Sequence, residues 1–140
     1  MTTAIDTNVL VALWNADDRL NRLAQSALDA ALGHGGLVIS APVFAELLAA
    51  PSRNEAFLDS FCQDTGILVE WELDEAVWRA AGRAFQAHAG RRRSHRFPGP
   101  RRILADFVIG AHALRRGYRL LTLDDTLYRS AFPHLSLVAI

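Results

Sequence analysis

The chain has 140 residues, 51% of them apolar, which suffices for one domain, 1–140, around a single core. No apolar run reaches the roughly 18 residues of a membrane helix. The start of the chain lacks the pattern of a secretory leader, and Cys62 is the single cysteine, so a cytoplasmic protein with no membrane contact and no internal disulfide is expected. The formal net charge is zero, but residues 1–78 hold 12 acids and 3 arginines, whereas 79–119 hold 11 arginines and one acid, Asp106; the cationic charge is gathered in one block.

In chain order, residues 3–5 read as a strand, followed by helices over 8–15 and 17–33, the second opening on Asp17 and Asp18 and closing near Gly33. "GLVIS" (36–40) is a short apolar strand, and "APVFAELLAA" (41–50) a helix with Pro42 in its first turn and Pro51 as its stop. A helix over 53–64 leads to the strand "GILVEW" (66–71), and a helix runs from 74 to about 89. "GRRRSHRFPGPRR" (90–102) reads as a polar loop punctuated by Gly and Pro. A helix over 103–117 with Gly117 as its cap, the strand "YRLLT" (118–122), a short helix after Asp124 and the strand "LSLVA" (135–139) complete the chain. Five apolar strands alternating with helices predict an α/β domain, a central, mainly parallel five-stranded sheet with helices on both faces. Such folds bind ligands outside the carboxyl ends of their strands, where Asp6 and Asp124 fall.

Four carboxylates stand in apolar surroundings: Asp6 after the first strand, Glu46 in "PVFAELLAA", Asp106 in "ILADFVIGA", and Asp124 after "LLTL". A carboxylate buried in such company is costly unless arginine, backbone N–H groups or a metal compensates it. Each also has a structural explanation: Asp6 as the cap of the next helix, Asp106 as a partner of a helix dipole, Asp124 or Asp125 as the cap of the last helix. Glu46, mid-helix with no basic neighbour in sequence, is the hardest to explain in this way. On the helix over 103–117, Asp106, Gly110, Ala113 and Gly117 form a stripe of small residues expected to approach the top of the sheet. Converging carboxylates with oxygen donors only suit a hard cation, Mg²⁺ or Mn²⁺, which can activate water against a phosphodiester.

"IDTNVLVAL", "APVFAELLA", "ADFVIGAHALRRGYRLLTLD" and "YRSAFPHLSLV", in this order and spacing, resemble the PIN domain, and within it the VapC toxins of bacterial toxin–antitoxin pairs. The resemblance covers nearly the whole chain. It implies a three-layer α/β/α fold and a Mg²⁺- or Mn²⁺-dependent endoribonuclease whose metal-binding, catalytic acids are Asp6, Glu46, Asp106 and Asp124. It implies supporting roles for Thr7, Asn8 and Thr122, with Asp125 either a further ligand or the cap of the final helix. It also implies hydrolysis to a 5′-phosphate and a 3′-hydroxyl, a homodimer, and inhibition by a cognate antitoxin lying across an apolar groove. The apolar set Trp14, Leu20, Leu23, Phe44, Leu47, Leu48, Phe57 and Phe61 is either core or that groove.

Beside an acidic site, the arginines of the 90–102 segment gain a function. Arg91, Arg92, Arg93, Arg96, Arg101 and Arg102 are expected to hold RNA phosphates, with His95 or Phe97 available to stack on a base. None of the five histidines pairs at zinc spacing, and Cys62 reads as a buried helix residue rather than a nucleophile. Two other classes stay open on the residues alone. One is a non-catalytic RNA-binding module with the acids as caps. The other is a phosphoryl-transfer protein with strand-end aspartates, although the chain has no lysine and "DTN" lacks a second aspartate.

Overall fold

A computed structural model describes residues 1–95, 104–138 and 140, with side chains described for all of these except 92–95. The elements run β1 (Thr3–Ile5), α1 (Thr7–Leu13), α2 (Asn21–His34), β2 (Leu37–Ser40), α3 (Ala41–Leu47), α4 (Glu55–Thr65), β3 (Leu68–Glu70), α5 (Glu75–His95), α6 (Leu104–Arg116), β4 (Arg119–Leu121) and α7 (Thr126–Ala131). The strands form one sheet of order β3-β2-β1-β4, every pair parallel, with Ala4 opposite both Val38 and Leu120. β1 and β2 are buried along their whole length, as a sheet covered on both faces requires, which is why they read as unbroken apolar runs.

From β1 the chain steps outward to β2 and β3, then returns across the sheet to β4. Right-handed crossovers therefore put the helices between β1 and β3 on one face and those between β3 and β4 on the other. The packing agrees: α1 lies against α2 and α3, whereas α5 lies against α6 and α7. The reversal falls between β1 and β4, where open α/β sheets leave a crevice beyond their carboxyl ends. No described helix is long and apolar enough to cross a membrane.

Three expectations need correction. First, the described sheet has four strands rather than five. The segment expected as a fifth makes one parallel bridge, Leu137 to Leu120, through Leu120 N to Ser136 O and Val138 N to Leu120 O, both 2.9 Å. The pairing closes around one residue of β4, and Ala139 lies outside the described residues. Second, α5 continues to His95, so Arg91, Arg92 and Arg93 are helical rather than in a loop. Arginine is a good helix former, and the propensity cost of Gly90, about 1 kcal/mol, does not break so long a helix. Third, the small stripe of α6 accommodates side chains as well as the sheet, since α6 also lies against β4. A Cβ on Gly110 would lie 2.5 Å from Phe132 Cε2 and 3.1 Å from Tyr128 Cδ1, so the close approach is made to α7 and the turn after it. Arg96, Phe97, Arg101 and Arg102 lie outside the described residues.

Of the apolar set, Phe44 and Leu47 belong to the core. Trp14, Phe57 and Phe61 pack edge-on beside it, and Leu23 is exposed.

Candidate functional site

Asp6 resolves its two readings by doing both. It is the N-cap of α1, its Oδ1 accepting the Thr7 N–H at 2.8 Å. Its Oδ2 accepts the hydroxyls of Thr122 at 2.8 Å and Tyr128 at 3.0 Å. The backbone N–H of Asp6 bonds Leu121 O at 2.9 Å, so the carboxylate sits on the seam between β1 and β4.

Around it the other expected residues assemble. Thr7 donates its hydroxyl to Glu46 Oε1 at 2.6 Å. Asn8 Oδ1 accepts the Leu123 N–H at 3.1 Å, and its amide nitrogen reaches Thr122 Oγ1 at 3.4 Å. Thr122 Oγ1 in turn accepts the Asp124 N–H at 3.1 Å, which ties the start of the loop after β4 to the Asp6 side chain. Asp106 stands in the first turn of α6, where the helix dipole favours its charge. Asp6, Thr7, Asn8, Glu46, Asp106 and Asp124 line one cavity of about 350 Å³. The cap of α1, a residue of α3, the start of α6 and the end of β4 thus converge on one place from four distant stretches of sequence.

Asp125 is separate. It occupies the N-cap position of α7 without a side-chain capping bond, and its carboxylate instead pairs with Arg129 at 2.7 Å. It faces another cavity, shared with Leu20, Leu23 and Ile140.

Tyr128 is the residue that sequence reasoning passed over. It is 2% exposed, lines the same cavity and donates to Asp6. Burial, with the charges of Asp6 and Asp106, holds its phenol protonated far above the usual range. The only sequence signal was one phenol in the apolar stretch of a short helix. Nothing local connects it to a carboxylate 122 residues away.

The electrostatics favour a cation. Burial pushes the Asp6 carboxyl above the usual carboxylate range, and the charge of Glu46 adds to this, against the three hydrogen bonds that pull it down. The donors are all oxygen, the chemistry a hard divalent ion takes. Among the described residues, no three His, Cys, Asp or Glu come close enough together to share one ion. The carboxylates ring the cavity rather than a point, which suits an ion that keeps several of its waters, as Mg²⁺ does.

Other reactive groups lie elsewhere. Cys62 is half-buried on α4, its thiol pushed up by burial and by the charge of Asp59, and it is a poor nucleophile there. His112 is buried on α6 with Nε2 2.7 Å from Glu70 Oε1, and Tyr118 donates to Glu70 Oε2 at 2.8 Å. These three bind β3 to α6 and the start of β4. Arg91 is exposed.

A PIN domain family model matches residues 3–133. Comparison with curated proteins finds no match. Among solved structures, a chain of VapBC-1 from nontypeable Haemophilus influenzae is similar at TM-score 0.67 and 21% identity, covering 99% of this chain and 97% of that one. A chain of VapBC2 from Rickettsia felis, bound to a DNA fragment from the promoter, reaches TM-score 0.66 at 19% identity, covering 99% and 98%. VapC20 of Mycobacterium tuberculosis, a toxin that cleaves the sarcin–ricin loop, reaches TM-score 0.61 at 16% identity, covering 91% and 94%. At these identities the likeness is one of fold.

Proposed function

Because the chain belongs to the PIN-domain family, we propose that it is a Mg²⁺- or Mn²⁺-dependent endoribonuclease and the toxin of a type II toxin–antitoxin pair. The observation that carries this reading is the ring of Asp6, Glu46, Asp106 and Asp124 around one cavity at the carboxyl end of the sheet. The toxin–antitoxin structures that share its fold support the class of partner, a cognate antitoxin; the homodimer that the sequence resemblance implies is part of the same proposal.

Asp6, Asp106 and Asp124 would hold the cation, with Glu46 as a further ligand or as the group that orients a water. When bound, the cation supplies neutralising charge at the phosphate and acidifies water. The chain's own residues do the positioning. Thr122 and Tyr128 occupy one oxygen of Asp6 and Thr7 N–H the other, so the carboxylate cannot swing away. The Thr7 hydroxyl holds one oxygen of Glu46 and leaves the second to orient the attacking water. That water adds to phosphorus opposite the 3′ oxygen, which leaves with a proton, giving a 5′-phosphate and a 3′-hydroxyl. Arg91, Arg92, Arg93, Arg96, Arg101 and Arg102 would hold the RNA backbone against an acidic site that otherwise repels it.

One observation favours the non-catalytic alternative, an RNA-binding module with the acids as caps: Asp6 does cap α1. Incubating the chain with cellular RNA, with and without Mg²⁺ or Mn²⁺, separates the two. Discrete cuts that need the metal and vanish in Asp6→Asn are expected. Bound but intact RNA under every condition would leave the binding module.

A further inference from the structure

A second cavity of about 240 Å³, lined by Val11, Trp14, Asn15, Ala50, Pro51 and Arg53, adjoins the acidic one. Val11 is a wall of both. The two cavities follow α1 and α3, which pack side by side. On α1, Thr7 borders the first and Trp14 the second, about 10 Å further on at 1.5 Å per residue. On the α3 side, Glu46 borders the first, and Ala50 and Arg53 the second. The two adjoining cavities thus place carboxylates at one end and a guanidinium at the other.

That guanidinium is held by rings. Arg53 Cζ lies 5.0 Å from the centroid of Trp14 and 4.4 Å from that of Phe57. Edge-on packing of Trp14 against Phe57 and Phe61, each at 5.2 Å, holds the rings themselves in place. Among the described residues no carboxylate pairs with Arg53, so its N–H donors are not spent on an acid of the protein. The residue before it, Ser52, takes a left-handed backbone, φ 63°, a conformation that a serine rarely adopts. Beside it, Asn15 Oδ1 accepts the Asp17 N–H at 3.1 Å, which leaves the Asn15 amide as a donor at the rim.

We propose that the Arg53 cavity is a phosphate subsite that seats the RNA backbone beside the bond to be cut. This rests on the ribonuclease reading above. A polyanion entering an acidic cavity needs a cation within reach, and a guanidinium already held beside two rings gives up little freedom when its N–H edges take a phosphate. A fixed distance between that cation and the acids also sets which linkage of the strand lies over the cavity. The Arg53 subsite therefore governs register as well as affinity.

The test uses the full chain carrying Asp6→Asn, so that RNA is bound and not cut, and a short fluorescent single-stranded RNA of mixed sequence, titrated at several salt concentrations. Arg53→Met, which keeps an apolar stem over the rings, should weaken binding several-fold and lower the slope of log K against log[salt] by about 0.7. Arg53→Lys should keep the slope. Arg79→Gln, on the exposed face of α5, should change neither. Asn15→Asp adds an opposing charge at the same rim without touching the ring cluster and should also weaken binding, which keeps the test valid if Arg53→Met unfolds. Unchanged affinity and slope in both Arg53→Met and Asn15→Asp overturn the subsite and leave the ring cluster to a protein partner. If the parent chain fails to cleave RNA with metal but the slope still drops, the ribonuclease reading falls and the phosphate subsite stands.

Discussion

Asp6 carries opposite demands. Its three hydrogen bonds favour the ionised carboxyl, yet burial and the charge of Glu46 outweigh them and its pKa lies above the usual value. The folded chain therefore binds that proton more readily than the unfolded chain, and the stability it contributes fades as pH rises through the raised pKa. Asp6→Asn removes the ionised form while keeping the shape. In the presence of a chelator near neutral pH, the variant is expected to unfold a few degrees above the parent, with the gap narrowing on acidification. Added Mg²⁺ or Mn²⁺ should raise the melting temperature of the parent and leave that of Asp6→Asn nearly unmoved. Circular dichroism melts read both, and a variant less stable than its parent in chelator would refute the argument. The aspartate was legible because a carboxylate after an apolar strand is conspicuous. Tyr128 was not, because a phenol shows its purpose only beside the oxygen it serves.

Among the elements, α6 and α7 set the geometry of the site. Gly110 lets Phe132 and Tyr128 close on α6, and Tyr128 then reaches Asp6. Alanine is the better helix former by about 1 kcal/mol, so propensity alone would make Gly110→Ala stabilising. The new Cβ meets a buried ring at 2.5 Å, and overpacking of that kind costs roughly 1–3 kcal/mol. Gly110→Ala is expected to lower the melting temperature and, by moving Tyr128, to reduce cleavage. Gly82→Ala on α5, where a Cβ meets nothing within 4 Å, should instead stabilise with activity unchanged. Equal effects from both would contradict the close-packing account. The sequence pattern located the stripe of small residues but could not say which neighbour it accommodates, because periodicity gives a face and not what covers it.

At the scale of the whole molecule, Glu70, His112 and Tyr118 join the edge strand β3 to α6 and the start of β4. Burial holds the His112 pKa below its ordinary 6.5, with Arg116 adding to this against the pull of Glu70. The hydrogen bonds from Tyr118 and His112 hold Glu70 below its ordinary 4.5 despite partial burial. The signs agree. As pH falls below about 6.5, the unfolded chain takes up a proton at His112 that the folded chain resists, and the contribution of Glu70 is lost as pH falls through its own lowered value. Stability should therefore decline between about pH 7 and pH 5, and more gently in His112→Gln. Parallel denaturant-midpoint curves for parent and variant would remove His112 from that role.

Sequence alone determined the class of fold and singled out the four carboxylates that line one cavity. Apolar runs alternating with helical patterns mean a parallel sheet, since strands covered on both faces must be apolar throughout, and the isolated carboxylates in such runs gather at one cavity. The ordered motifs around Asp6, Glu46, Asp106 and Asp124 named the family that the match over residues 3–133 establishes. The hydroxyl and amide partners Thr7, Asn8 and Thr122 also came from that resemblance. Tertiary structure alone decided that Asp125 turns to Arg129, that Tyr128 reaches Asp6, that the last strand pairs through a single bridge, and that Arg53 lines the cavity adjoining the acids. The division has one physical cause. Burial and period are local properties that a sequence carries in its spacing, whereas the partner of a polar side chain is chosen by where distant elements meet.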